Sequence, residues 1–527
     1  MLTPADPRQD PGPAPHPARL LDRRRHDLQV VEGPTISTYL GYLFAGLGGG
    51  AVIASLALGL VLTHRASGVV NFAHAAMGMY VAFAFYEFRS TGDLVLPILG
   101  LPARIELVPR PTLATSLLVA LVLGALLGLV VYGLIFRPLR RAPALARVVA
   151  SLGLFLYLQQ VVQMRFPSTG AAVQTKRQVL DETPVHFLGT TVTANRLLLA
   201  GLVVVVTALL AALFRFTSFG LATRAAASNE DGALLTGVSP DRVGVANWML
   251  ASILAGFAVI LIEPISGLDA SSTSLLVVPA LAAALVGGLS SFVLTAVGGL
   301  GIGMVQSLTL GYAVQPSTTW IPDWLPTTGL QAAVPVVAIL VVLALRGDAL
   351  PDRAAVLGRR LPPSPTPRHV TIWSVVLSIG VVVALSTFGA ANRQALIVSM
   401  VFALLALSVV VITGYVGQIS LAPLAFAGVA GFAVIHFADA GIGFPLATLL
   451  AASVATVLGV LVGLPVTRVR GMSLAVATLA IAVAIEGLLL GSQSFSGGAI
   501  GMSAPRPTLF GVDLGIGATG DANFRPI

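Results

Sequence analysis

The sequence predicts an all-α, polytopic transmembrane helical protein of about 13 or 14 spans, broken or re-entrant segments included. Three observations point to it. Hydrophobic residues make up 56% of the 527 residues and charged ones only 10%, a balance too apolar for one soluble core. Apolar stretches of about 18 residues or more recur along almost the whole chain, each long enough to cross roughly 30 Å of hydrocarbon as a helix. The short alternating segments of a membrane β-barrel do not recur, which leaves helices as the way to satisfy the backbone in lipid.

Composition also excludes. There is no cysteine, hence no disulfide framework and no thiolate metal site, and no residue pattern calls for a metal or cofactor. The net charge of +8 sits in short loops beside apolar segments, as the positive-inside rule expects. That distribution argues for membrane lipid as the surroundings and against nucleic acid as a partner. Lys176 is the only lysine; with the abundance of Arg, Ala, Gly and Val, this suggests a GC-rich genome and the bacterial plasma (inner) membrane. No Gly-x-x-x-x-Gly-Lys-Ser/Thr phosphate loop occurs, so the chain is not an ATPase of that kind. No His-Glu-x-x-His or Gly-x-Ser-x-Gly motif marks a membrane protease or lipase.

Taken in order, residues 1–35 are rich in Pro and Arg without an apolar core, a basic disordered tail rather than a signal peptide. A first hydrophobic block spans residues 36–345, with basic loop clusters at Arg137, Arg140, Arg141 and Arg147 and at Arg215, Arg224 and Arg242. Trp320 and Trp324, in a Pro-rich loop, fit an interfacial aromatic belt. Residues 346–370 carry Arg353, Arg359, Arg360 and Arg368 and a Pro-Pro-Ser-Pro-Thr-Pro run, the composition of a cytoplasmic linker. A second block occupies 371–527.

The two blocks echo each other. Gly68-Val-Val-Asn71-Phe-Ala73-His74 and Gly417-Gln-Ile-Ser420-Leu-Ala422-Pro423 share a Gly, a small polar residue three later and an Ala two after that. Further on, Leu145-Ala-Arg-Val-Val-Ala-Ser151-Leu-Gly153 resembles Ser473-Leu-Ala-Val-Ala-Thr478-Leu-Ala480. Two matches in the same order indicate duplication.

Both glycine motifs place polar groups inside apolar spans, where an unpaired one costs several kcal/mol. Broken helices of this kind line solute paths in transporters, which makes Asn71, His74, Tyr415, Gln418 and Ser420 pathway candidates. The same pattern also fits glycines that let helices pack closely and polar side chains that bond across them. Glu486, within Ala480-Ile-Ala-Val-Ala-Ile-Glu-Gly-Leu-Leu-Leu490, belongs to a cavity or partner helix, or else to a helix end at the interface. Glu87, Glu263 and Asp269 read as interfacial.

Gly68-Val-Val-Asn-Phe-Ala-His-Ala-Ala-Met-Gly78 resembles the signature of one branched-chain amino acid ABC permease. Gly414-Tyr-Val-Gly-Gln-Ile-Ser-Leu-Ala-Pro-Leu-Ala-Phe426 resembles that of its partner permease, and the similarity runs from about residue 36 to 510. The resemblance implies two permease domains fused in one chain, 36–345 and 371–527, the second incomplete. It also implies two ATP-binding subunits on the cytoplasmic side, an extracytoplasmic solute-binding protein and a possible further permease chain. The second signature commonly has His where this chain has Pro423, so that residue's role does not transfer. A permease of the same superfamily for urea, amides or sugars and a secondary transporter are the other readings.

Ser228-Asn-Glu-Asp231 reads as an N-cap with an acid three residues on, and Gly237-Val-Ser-Pro240 as the stop of a short helix. Asp231-Gly232-Ala233, with Gly237 six after Asp231, resembles the motif by which ABC importer permeases dock a helix on the ATPase. Its usual Glu-Ala-Ala is degraded here. The resemblance makes Arg224, Ser228, Asp231, Gly232, Ala233 and Gly237 the coupling candidates; an ordinary cytoplasmic loop is the plain alternative.

Arg19, Arg23, Arg24 and Arg25 favour a cytoplasmic N-terminus. The first motif would then enter from the side opposite to the second, unless the stretch from Ile36 to Phe88 holds a re-entrant piece, the arrangement favoured here. The repeat also leads one to expect another pair of helices and a second docking helix after Thr478. Residues 491–527 contain no further apolar span, so a truncated or split gene product is expected.

Overall fold

The computed structural model describes residues 36–98, 103–166, 183–187, 189–314, 327–346, 368–466, 472–498, 501–505, 507–509 and 512–513. The tail, Lys176, Trp320, Trp324, the Glu263 side chain, most of the linker and the chain after 513 lie outside them.

The first half starts with α1 (Ile36–Ser67), α2 (His74–Thr91), a hairpin of β1 (Asp93–Val95) and β2 (Arg104–Glu106), and α3 (Leu113–Val131). A π-helical turn, Tyr132–Phe136, and a 3₁₀ turn, Pro138–Arg141, lead to α4 (Ala144–Arg165). A second hairpin, β3 (Pro184–Phe187) with β4 (Thr190–Thr193), precedes α5 (Ala194–Phe216), α6 (Ser218–Ser228), α7 (Glu230–Leu235) and α8 (Pro240–Ser266). Then come α9 (Ala270–Leu275), α10 (Val277–Val286), α11 (Phe292–Ala313) and α12 (Thr327–Arg346).

The second half holds α13 (Val370–Thr387), α14 (Ala390–Val410) with a π turn (Val411–Tyr415), α15 (Pro423–Asp439) and α16 (Leu446–Val466). After these lie α17 (Met472–Ile485) with a π turn (Glu486–Leu490), the short α18 (Gln493–Ser496), and β5 (Thr508–Leu509) paired with β6 (Val512–Asp513). Among the described residues ten helices are long and apolar enough to cross a membrane, and three shorter apolar helices join them, Ala270–Val286, Gly329–Leu345 and Pro423–Asp439. The chain is therefore the expected polytopic helical membrane protein, because only helices close their own hydrogen bonds within each span.

Two faces are recognisable from side-chain contacts. On one, the Arg65 guanidinium lies 5.7 Å from the Phe214 ring centroid and 5.0 Å from that of Phe292, and Arg224 donates to the Phe214 carbonyl. This gathers the ends of α1 and α5 and the start of α11 beside the basic loops, the face the positive-inside rule assigns to the cytoplasm. On the other, Arg196 donates to the Ala45 carbonyl at 3.0 Å, and Tyr39 and Tyr312 bring their rings within 6.2 Å.

α1 therefore runs unbroken for 32 residues from the second face to the arginine face. The stretch 36–67 has no Pro and no positive φ to interrupt it, and the break falls after it, at Gly68. α2 then returns toward the second face, where Glu87 pairs with Arg104 at 2.8 Å.

The core is centred on α1 and α2. From Ala51 to Thr63 all residues of α1 except Ser55 are buried, and so is most of α2. α1 meets α11 through glycines: a methyl added at Gly50 would sit 2.8 Å from the Leu300 carbonyl oxygen, and one at Gly299 would sit 2.5 Å from the Ala54 Cα. Tyr86 ties α2 to α8 by donating to the Ile260 carbonyl at 2.7 Å.

Gly299→Val should lower stability by about 1–3 kcal/mol, since two touching backbones must part to admit it. Gly301→Val, where an added methyl meets nothing within 4 Å, should stay near the parent. Thermal unfolding of the detergent-solubilised variants, followed by size-exclusion monodispersity, measures the difference.

Candidate functional site

The two glycine motifs have the same backbone geometry. Gly68 (φ +63°) and Gly417 (φ +72°) both occupy the left-handed region, which closes the preceding helix at little cost only for glycine. In each half the next helix begins six residues later, at His74 and at Pro423. Between them the chain is not helical, and its free N–H groups need partners. Asn71 Oδ1 accepts from the Ala73 N–H at 3.1 Å, and Ser420 Oγ accepts from the Ala422 N–H at 3.4 Å. Equivalent residues thus make the same i to i+2 turn with different side chains.

The first break folds back along α1, so that its far end, His74, lies beside the middle of α8. His74 packs against Gly59 of α1, where any Cβ would strike its Nε2, and the same Gly59 faces the carbonyl of Ala251. Ala251 is the midpoint of the span Pro240–Ile262. His74 is 1% exposed, and neither ring nitrogen has a hydrogen-bond partner. Asn71, fully buried, directs its Nδ2 to the Met77 sulfur at 3.4 Å.

The second motif is more open. Tyr415 is 87% exposed and Gln418 is exposed, its N–H closing on the Ile412 carbonyl at 3.1 Å, while Ser420 is half-buried. Thr478 receives the Leu421 N–H at 3.0 Å. Its counterpart Ser151 is buried and instead donates to Val148 of its own helix at 2.7 Å. Glu486 is exposed in the π turn that ends α17. Among the described residues no hydrogen bond joins Asn71 or His74 to Tyr415, Gln418, Ser420 or Glu486.

The coupling candidates do gather on the arginine face. Sequence reading misassigned the cap: Ser228 is the last residue of α6 and donates to the Ala225 carbonyl at 3.0 Å. Asn229 is the cap, extended at φ −153°, its side chain accepting the Gly232 N–H at 2.9 Å. Asn229 is the single residue between α6 and α7, which leaves room for one cap, and the shorter helix takes it. Gly237 (φ +81°) ends α7 as expected: its N–H bonds Leu234 at 3.0 Å and that of Val238 bonds Ala233 at 2.9 Å, the paired closure of a Schellman stop.

Ala233 points inward, 4% exposed, and Asp231 outward. Leu234 and Leu235, 57% and 90% exposed, give the helix an apolar outer surface that the motif alone did not reveal. Sequence reading also missed the ion pairs beneath it. Arg140 binds Glu230 and Asp241, each at 2.9 Å, and Arg137 binds Asp241 at 3.1 Å.

Two broken spans repeated in one helical membrane chain, with a capped helix on the basic face, define a multi-pass transport permease. The family model described as "Branched-chain amino acid transport system / permease component" matches residues 42–344 and 393–512, and the chain belongs to that family of the bacterial inner membrane. It is 29% identical over 280 residues to the probable branched-chain amino acid transport permease protein LivH of Methanocaldococcus jannaschii, covering 50% of this chain and 80% of that protein. Against the high-affinity branched-chain amino acid transport system permease protein LivH of Escherichia coli K12 it is 24% identical over 282 residues, 52% of this chain and 87% of LivH. Against the corresponding LivM of Salmonella typhimurium it is 35% identical over 119 residues, 22% of this chain and 28% of LivM. No solved structure matches.

A Cβ at Gly417 would meet nothing within 4 Å, so the backbone angle alone restricts the position. Gly417→Asn should therefore be the mildest replacement and Gly417→Val should cost about 1–2 kcal/mol, since asparagine tolerates the left-handed region and β-branched residues do not. Thermal midpoints of the two variants in the same detergent give the ranking.

Proposed function

We propose that the chain is the membrane permease of an ABC importer for branched-chain amino acids, with ATP hydrolysed on partner subunits that dock on α7. The observation that carries this is α7 itself: a helix capped by Asn229, stopped by Gly237 and presenting Leu234, Leu235 and Asp231 outward from the basic face. Leucines so exposed on the cytoplasmic side lack the lipid that surrounds the spans, and a protein groove would cover them. The substrate class follows from the names of the relatives.

On this reading residues 36–345 and the part from 371 onward act as two permease domains joined by a cytoplasmic linker. Two ATP-binding subunits and an extracytoplasmic solute-binding protein complete the importer, with a further permease chain as a possible component. The breaks at Gly68 and Gly417 supply the solute path, and His74, buried without a partner, is its most distinctive group.

Asp231→Arg, Leu235→Asp and Gly237→Val should each reduce co-purification of ATP-binding subunits severalfold while the permease remains in the membrane, since they change the surface, or the stop, of a helix outside every span. Quantifying the subunits retained on the tagged, solubilised permease tests this. Undiminished retention in all three variants removes α7 from the docking role.

A further inference from the structure

We propose that Arg140 is the positioning residue that transmits movement of α7 into α8, and through α8 to the break at His74. This rests on the reading of α7 as the docking helix.

Glu230 is the first residue of α7 and Asp241 lies in the first turn of α8. One guanidinium, held in the turn between α3 and α4, bonds both: Nε to Glu230 Oε2 and Nη1 to Asp241 Oδ1, each at 2.9 Å. Arg137 occupies the other Asp241 oxygen at 3.1 Å. Two carboxylates on different helices, approached from two sides of one side chain, call for a planar fork; an ammonium on a flexible stem cannot reproduce it.

These groups are partly solvent-exposed, with 28% of the Arg140 side chain and over a third of each carboxylate accessible. Ion pairs so placed add little to folding stability. What this one does is mechanical. Among the described residues, apart from the chain itself from Thr236 to Ser239, it is the polar link between the short α7 and the long α8.

Beyond the link, α8 is well placed to carry displacement. Its backbone lies directly on glycines of three helices: Trp248 on Gly128 of α3, Ala251 on Gly59 of α1, and Ala255 on Gly78 of α2. Contacts without intervening flexible side chains leave little slack, so a tilt of the α8 N-terminus reaches the middle of α8, where Ala251 faces Gly59 and His74. The unpartnered imidazole is the group there with most to gain from a changed environment.

The test compares the parent with Arg140→Met, Arg140→Lys and Asp241→Asn, each co-expressed with the ATP-binding subunits and reconstituted in vesicles with the solute-binding protein and labelled leucine. Three quantities are read: ATPase retained on the permease, ATP hydrolysis, and leucine moved per ATP hydrolysed. The expected result is unchanged ATPase retention with leucine per ATP reduced at least about threefold, Arg140→Lys behaving like Arg140→Met. Asp241→Asn and Arg140→Lys also guard against failure of Arg140→Met to reach the membrane.

Full coupling in Arg140→Met with docking intact would overturn the proposal and leave the docking role of α7 standing. Full coupling in Arg140→Lys would overturn the two-carboxylate geometry. Loss of ATPase retention in step with coupling would make Arg140 part of the docking surface, which also overturns it. If no ATPase accompanies even the parent chain, the importer reading falls and this one with it.

Discussion

Between α1 and α11 the backbones touch, with Gly46, Gly50 and Ala54 on one helix against Gly299 and Gly303 on the other. In lipid there is no hydrophobic force to drive two helices together, since acyl chains are as apolar as leucine. Shape and dispersion do the work, and they are strongest where the axes approach most closely. This seam fixes α1, and α1 in turn offers Gly59, against which the His74 imidazole lies beside α8. A bulkier residue at Gly59 would occupy the space of His74 itself. The break after Ser67 is thus held in position by a contact seam that begins about 30 Å away along the same helix.

Breaking a helix in a membrane strands backbone N–H groups where no water reaches them, and each half recovers one with a short polar side chain placed three residues after a left-handed glycine. Asn71 and Ser420 are different residues doing one job, the donor being the N–H two positions on in both cases. That convergence within one chain is the strongest sign that the break is built rather than tolerated. The halves then diverge in what surrounds the break: α8 and α1 enclose the first, whereas the second leans on Thr478 and leaves Tyr415 outside.

The spans and the paired breaks were legible in the sequence because both rest on strong local terms, apolar length in one case and glycine followed by an Asn or Ser in the other. The α7 stop was legible for the same reason. Less legible was which of two adjacent cap formers, Ser228 or Asn229, would be used, because that depends on where the preceding helix ends. Arg140, Glu230 and Asp241 stand about ninety and ten residues apart in the sequence, and no periodicity announces that one turn and two helix starts meet. The candidate pathway residues were individually visible, but the burial of Asn71 and His74 and the exposure of Tyr415, Gln418 and Glu486 depend on packing of whole helices.

One further repeat shows how far pattern alone can go. Residues 122–131 read VLGALLGLVV in α3, and residues 457–466 read VLGVLVGLPV in α16. In the first half these glycines are a seam: a methyl on Gly128 would lie 2.8 Å from the Trp248 carbonyl carbon, and one on Gly124 would lie 3.4 Å from the Ile253 Cα, both on α8. In the second half a methyl on Gly459 would only graze the Phe426 ring at 3.9 Å, and one on Gly463 would meet nothing within 4 Å. The same small-residue face is a helix contact in one setting and open in the other. Exposure of the remaining apolar side chains carries no penalty against lipid, so nothing in α16 forces its glycines to find a partner. Whether a small-residue motif packs is decided by the helix opposite it, and for Gly124 and Gly128 that helix is the one whose first turn Arg140 holds.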